Sequence, residues 1–244
     1  MIECSPKALA EFTPKGKLRV GINFSNFLLT HKDPVTGAPG GVAVDLGREL
    51  GRRLGAEVEI IGYPSPGELA EAAPTDIWDV GFLGAEPQRA LLIDFSAAYV
   101  EIEATYLVPA GSPIKSIDEV DRKGIRIAVP AKAAYDLYLE RNLKNAELIR
   151  GAGADNAFKK FVDGKLEALA GLRPRLVTDN DNMPGSRILE GRFTAVQQAA
   201  GVPKGRAAAA AYLSAYIEDV KATGLVAQLI EKHKARGLTV AAKA

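Results

Sequence analysis

Every fourth residue from Val42 to Leu54 is apolar: Val42, Leu46, Leu50 and Leu54 draw one stripe along a helix, and Gly55 ends it. Two strand-like runs bracket the stripe, residues 18–22 before it and 57–61 after it. Strand, helix and strand joined by short links imply a right-handed crossover between parallel strands. A short helix over 64–74 and a strand over 78–83 extend the same unit. The alternation then starts again. A β-rich segment at 105–109 leads through Gly111-Ser112-Pro113 to a strand at 125–129 and a helix at 133–141. A strand at 147–150, a helix at 155–162 closed by Gly164, and a strand at 166–170 complete this second unit. Residues 193–198 read as a second crossing that brings the chain home. The alanine-rich run at 207–211, with Leu213, Ile217 and Val220, predicts a long helix. The fold class is therefore α/β, with two lobes and two crossover strands that form a hinge. Lobe 1 is expected to comprise 1–106 and 199–244, and lobe 2 to comprise 107–198.

Composition removes several classes of function. The chain has 244 residues, and 47% of them are hydrophobic, enough to fill two cores. Net charge is +1, from 31 basic and 30 acidic side chains, so no nucleic-acid partner is expected. No apolar run approaches the roughly 20 residues that span a bilayer, so no membrane insertion is expected. The single Cys4 makes no disulfide within the chain. His31 and His233 lie far apart in sequence without neighbours at ligand spacing, so no metal site is expected. Gly151-Ala152-Gly153 has Asn156 where a dinucleotide turn needs its third glycine, and no cofactor is expected.

One run carries chemistry. The apolar strand that ends at Leu83-Gly84 is followed by Pro87, where a helix would begin, and then by Arg89. That places a guanidinium beside a strand end, the usual ligand position of an open α/β sheet. The planar fork of arginine suits a carboxylate, which it holds through two parallel bonds.

Glu86-Pro87-Gln88-Arg89, with Asp94-Phe95-Ser96 and Tyr99 spaced behind it, resembles the arginine signature of the bacterial solute-binding proteins of family 3. These are the polar amino-acid receptors of ABC importers. Gly16 to Gly21, the segment from Gly41 to Gly55, Gly124 to Val129 and the helical return from Lys204 to His233 resemble the same family in order and spacing. The resemblance implies a two-lobe periplasmic-binding-protein fold of type II, with a small carboxylate-bearing solute held in the cleft between lobes. It implies an ABC transporter permease as partner, a periplasmic monomer and no enzymatic activity. Residues 1–17 show no apolar leader core, so the periplasmic expectation rests on the resemblance.

Carried over residue by residue, the resemblance makes Arg89 the carboxylate clamp, with Gly84 and Glu86 beside it. Asn23, Phe24, Asn26 and Phe27 are expected to line one wall. Ala133 opens a helix whose backbone amides favour an anion, and Tyr135 and Arg173 are expected to close the other wall. Four departures stand out. Gly84 lacks the hydroxyl that family members offer the carboxylate, and Glu86 replaces their threonine. Lys132-Ala133-Ala134 has no hydroxyls, and the ammonium acceptor falls near Leu172, beside Arg173. These departures lead us to expect dicarboxylates, or amino acids with acidic or amide side chains, ahead of cationic amino acids. Two alternatives share the scaffold: a lyase resembling cyclohexadienyl dehydratase, with Glu86 as acid or base, and a ligand-sensing module.

Overall fold

The structure is a computed structural model that describes residues 3–235 and 237–244. It divides into two compact units, Met1–Glu101 with Gln197–Ala244, and Ile102–Val196.

Unit 1 begins with α1 (Pro6–Phe12), where the Ser5 hydroxyl caps the helix by accepting from the Ala8 N–H at 3.2 Å. All six residues of β1 (Leu18–Asn23) are buried, as expected of a parallel strand covered on both faces. A hairpin of β2 (His31–Lys32) and β3 (Pro39–Gly40) leads into α2 (Val42–Leu54). This is the striped helix: Val42, Leu46, Leu50 and Leu54 are buried, and Gly55 closes it at φ 64°. β4 (Val58–Tyr63), α3 (Pro66–Glu71) and β5 (Val80–Gly84) follow, and β1 pairs in parallel with both β4 and β5.

The turn into α2 requires glycine. Gly41 has φ 112° and ψ 171°, a region that side chains with a Cβ avoid, and a Cβ there would stand 2.3 Å from the Leu29 carbonyl oxygen. Gly41→Ala is therefore expected to cost at least about 2 kcal/mol in urea unfolding. An unchanged midpoint would show that the turn rearranges freely.

β6 (Ile93–Val108) is sixteen residues long and runs from unit 1 into unit 2. The expected short segment at 105–109 overlaps only its last four residues, 105–108. Asp94, Ser96, Glu101 and Glu103 break the apolar pattern along its first part and hide a continuous strand. Pro87 starts no α-helix. The chain makes only a 3-10 turn at Arg89–Leu91, because β6 claims the backbone from Ile93 onward.

In unit 2, β7 (Arg126–Pro130), α4 (Ala134–Asn142), β8 (Glu147–Gly151) and α5 (Ala154–Asp163) repeat the strand and helix alternation. β9 (Ala168–Leu172) starts two residues later than the sequence reading placed it, and α6 (Arg173–Asp181) follows directly. The sequence pattern assigns no element to that stretch, yet Pro174 sits in the first turn of α6, where a missing N–H costs nothing. β10 (Arg187–Ile188) pairs with β6, and β11 (Thr194–Pro203) returns the chain to unit 1. There α7 (Ala207–Ala222), α8 (Leu225–Lys232) and β12 (Thr239–Val240) complete the fold. The strand order is β4-β1-β5-β11-β6 in unit 1 and β6-β9-β7-β8 in unit 2.

Each unit has its own core. Trp78 packs with Leu69, Ala70, Leu83 and Ile93 in unit 1, and its indole N–H donates to the Leu69 carbonyl at 3.0 Å. The Tyr216 hydroxyl on α7 donates to the Leu46 carbonyl on α2 at 2.7 Å. In unit 2, Tyr106, Val129, Leu139 and Ala168 centre one cluster, and Ala128, Phe161, Leu169 and Leu176 another.

Candidate solute-binding site

β1, β4 and β5 run parallel, so they present their C-terminal ends at one edge of unit 1: Asn23, Tyr63 and Gly84. Outside such an edge is where open α/β sheets bind ligands. Arg89 is held there. It is 4% exposed, and its Nη1 donates to the Gly84 carbonyl at 2.7 Å, so the strand end itself aims the guanidinium. Burial pushes Arg89 down to about 10, an effect that the nearby Glu86 carboxylate opposes, so the group remains a cation at neutral pH. Glu86 is buried as well, and its carbonyl accepts from the Ala90 N–H at 2.9 Å, which closes the turn. One buried cation and one buried anion thus stand within a turn of each other.

The loop after β1 holds the four residues expected to form a wall. Asn23 Oδ1 accepts from the Ser25 N–H at 3.0 Å and the Ser25 hydroxyl at 2.8 Å, which fixes the start of the loop. The Phe24 ring lies flat enough on β4 that a Cβ at Gly62 would come within 2.6 Å of it. Lys32 Nζ stands 4.9 Å above that ring. The Asn26 carbonyl accepts from the Leu29 and Thr30 N–H groups, both at 3.0 Å, while its side-chain Oδ1 is buried without a hydrogen-bond partner among the described residues. Phe27 is 51% exposed.

Sequence reasoning missed Gln198. β11 pairs antiparallel with β5 and sets Gln198 opposite Gly84, where it is buried. The available signal was Gln197-Gln198 inside an otherwise apolar run; it was read only as crossing strand.

Unit 2 holds the remaining candidates. Ala133 is the residue before α4 and has no side-chain cap, as expected from its missing hydroxyl. Asp136 organises that turn instead: it accepts from the Lys132 N–H at 2.8 Å and from Arg150 Nε at 3.0 Å. Lys132 adopts φ 58°, uncommon for a side chain with a Cβ. Tyr135 is packed into the unit 2 core with Leu139 and Val129, and burial raises its phenol. Arg173 starts α6 and donates through Nε to Glu103 Oε2 at 2.8 Å and through Nη2 to the Gly191 carbonyl.

The two histidines are not apart in the fold. The β2–β3 hairpin lies against the end of α8, so the His31 and His233 rings are 5.4 Å apart, and His233 Nε2 is 2.8 Å from Asp45 Oδ2. Sequence separation hid this contact. Among the described residues no group of three or more His, Cys, Asp or Glu side chains fits a metal ion. Among them, too, no helix is long and apolar enough to cross a membrane.

Known proteins share this arrangement of elements. The ABC transporter glutamine-binding protein GlnH of Bacillus subtilis (strain 168) is 20% identical over 234 residues, covering 94% of this chain and 85% of that protein. A mutant of ArgBP from T. maritima superposes with a TM-score of 0.76 at 22% identity, covering 94% of this chain and all of that one. The ancestral amino acid-binding protein AncCDT-1, a precursor of cyclohexadienyl dehydratase, gives a TM-score of 0.75 at 23% identity over 92% of this chain and 98% of that one. These likenesses establish the fold, that of the type II periplasmic binding proteins. The family model for bacterial extracellular solute-binding proteins, family 3, matches residues 18–235, and the chain belongs to that family.

Proposed function

We propose that the protein is the solute-binding component of an ABC importer and captures a small carboxylate-bearing solute, an amino acid or a related organic acid. The observation that supports this most directly is Arg89, buried at the C-terminal strand edge and aimed by the Gly84 carbonyl. A desolvated guanidinium gives a carboxylate a strong charge-assisted pair, worth roughly 2–4 kcal/mol. On this reading the Asn23–Phe27 loop and Gln198 flank the solute, and binding draws the two units together through bending of β6 and β11, the strands that run from one to the other. The protein acts as a periplasmic monomer alongside its permease and catalyses nothing.

Arg173 changes the expected preference. Its guanidinium is already engaged by Glu103, a carboxylate that Arg192 approaches at 3.8 Å as well, so it is not a free fork that would select acidic side chains. Glu86 beside Arg89 makes the buried pair neutral overall, which suits a zwitterion better than a dicarboxylate.

A thermal-shift screen of L-amino acids against their carboxamides tests the reading. A solute at 100 times its Kd is expected to add about 2.7 kcal/mol of stability, a clear rise in Tm, and its carboxamide none. Equal shifts from an acid and its carboxamide would remove the carboxylate from the account. The lyase alternative would require Glu86 to move a proton. Turnover of a cyclohexadienyl acid that is lost in Glu86→Gln would favour it.

A further inference from the structure

Thr239 and Val240 form β12, a two-residue strand laid antiparallel on β6, with Thr239 opposite Glu101 and Val240 opposite Val100. The Ala241 N–H continues the pairing by donating to the Tyr99 carbonyl at 3.2 Å. Lys221 on α7 fastens this segment from behind. Its Nζ donates to the Ala98 carbonyl at 3.1 Å and to the Ala242 carbonyl at 2.8 Å, and its side chain is only 5% exposed. A nearly buried ammonium is costly to place; the Glu218 carboxylate at 2.7 Å offsets that cost, and the two carbonyl bonds tie the segment to β6.

The place on β6 is what matters. The ladder to β12 ends at Glu101, the last residue of unit 1 before the chain enters unit 2. The ladder to β9 begins at Ala104, opposite Leu172. On this edge of β6 Ile102 and Glu103 lie between the two ladders, while β11 pairs with β6 along the other edge. On the unit 2 side Glu103 is gripped by Arg173 at 2.8 Å, with Arg192 at 3.8 Å. A strand paired on both edges resists changes in φ and ψ more than one paired on a single edge, because bending breaks its hydrogen bonds, so rotation gathers where one of the two ladders stops.

We propose that β12 and Lys221 form a strap that fixes the unit 1 end of β6 and confines its bending to Ile102–Glu103. The tail thereby limits how widely the two units swing before solute arrives. This rests on the closure reading given above.

The test uses single-molecule energy transfer between dyes on Lys7→Cys and Lys159→Cys in a Cys4→Ser background, one in each unit. Three forms are compared: the full chain, the chain lacking 239–244, and Lys221→Met, which keeps the tail. Deletion is expected to broaden the solute-free distance distribution about twofold, and Lys221→Met to shift it in the same direction. Amide exchange at 102–104 should quicken about tenfold or more in both variants while Leu148–Arg150 in β8 stays protected. Distributions identical in all three forms, with protection lost only at Val100 and Glu101, would overturn the strap and leave β12 a mere edge cover. A full chain with one fixed distance, whether or not L-amino acids are added, would instead overturn closure itself, and the strap with it.

Discussion

Arg89→Lys is expected to weaken solute binding by roughly 30- to 1,000-fold, the loss of about 2–4 kcal/mol, although the positive charge is kept. Lysine offers a point charge on a flexible stem, whereas a guanidinium has the fork to hold both oxygens of a carboxylate, and that of Arg89 also donates to Gly84. Calorimetric titration with the amino acid that gives the largest thermal shift reads the effect. Arg89→Ala should lose binding further and also cost about 1–3 kcal/mol of solute-free stability, because the buried Gly84 carbonyl loses a donor. Binding within threefold of the parent in Arg89→Lys, together with a fall in stability, would make Arg89 a structural residue of its own turn.

The largest effect on stability is expected at Asp79, far from the solute. Asp79 is fully buried and takes hydrogen bonds from the Arg19 N–H at 3.0 Å and Arg19 Nε at 2.8 Å through one oxygen. Its other oxygen accepts from Arg19 Nη2 at 2.8 Å and from Arg206 Nη1 at 2.7 Å. Arg206 stands at the start of α7 and also donates to the Glu11 carbonyl at 3.0 Å, so one carboxylate joins β1, α1 and α7. The pairing holds the Arg19 guanidinium well above its ordinary value, chiefly through its hydrogen bond to Asp79. Asp79→Ala leaves the Arg19 and Arg206 guanidiniums sharing only the half-exposed Asp76 carboxylate, 3.1 Å from each, and is expected to cost about 3–5 kcal/mol, a fall in Tm of roughly 10 °C or more. Solute affinity, measured below the lowered Tm, should stay within about threefold, because the network lies at the N-terminal end of β1, opposite the site. A small change in Tm would show that Asp76 and water suffice to compensate these charges.

The sequence made the crossovers legible because apolar period and punctuation agree there. Val42, Leu46, Leu50 and Leu54 set the stripe of α2, and Gly55 is a stop that only its left-handed backbone explains. The same clarity located Arg89, since Gly84 and Pro87 bracket a strand end. Where charged residues face solvent on a long strand the pattern failed, and β6 shrank to a short segment. α6 was hidden because Pro174 in a first turn looks like a breaker. Contacts across long separations carry no local signal at all. Gln198 opposite Gly84, His31 against His233 and Arg173 on Glu103 are set by strand register and helix docking, and only the fold displays them.

The central claim is that the Arg89 guanidinium receives the carboxylate of a solute. A crystal structure of the protein with the amino acid of largest thermal shift tests it most directly. Both carboxylate oxygens are expected within about 3 Å of the Arg89 nitrogens, in bidentate geometry. A bound solute whose carboxylate lies elsewhere, with no hydrogen bond to Arg89, would contradict it.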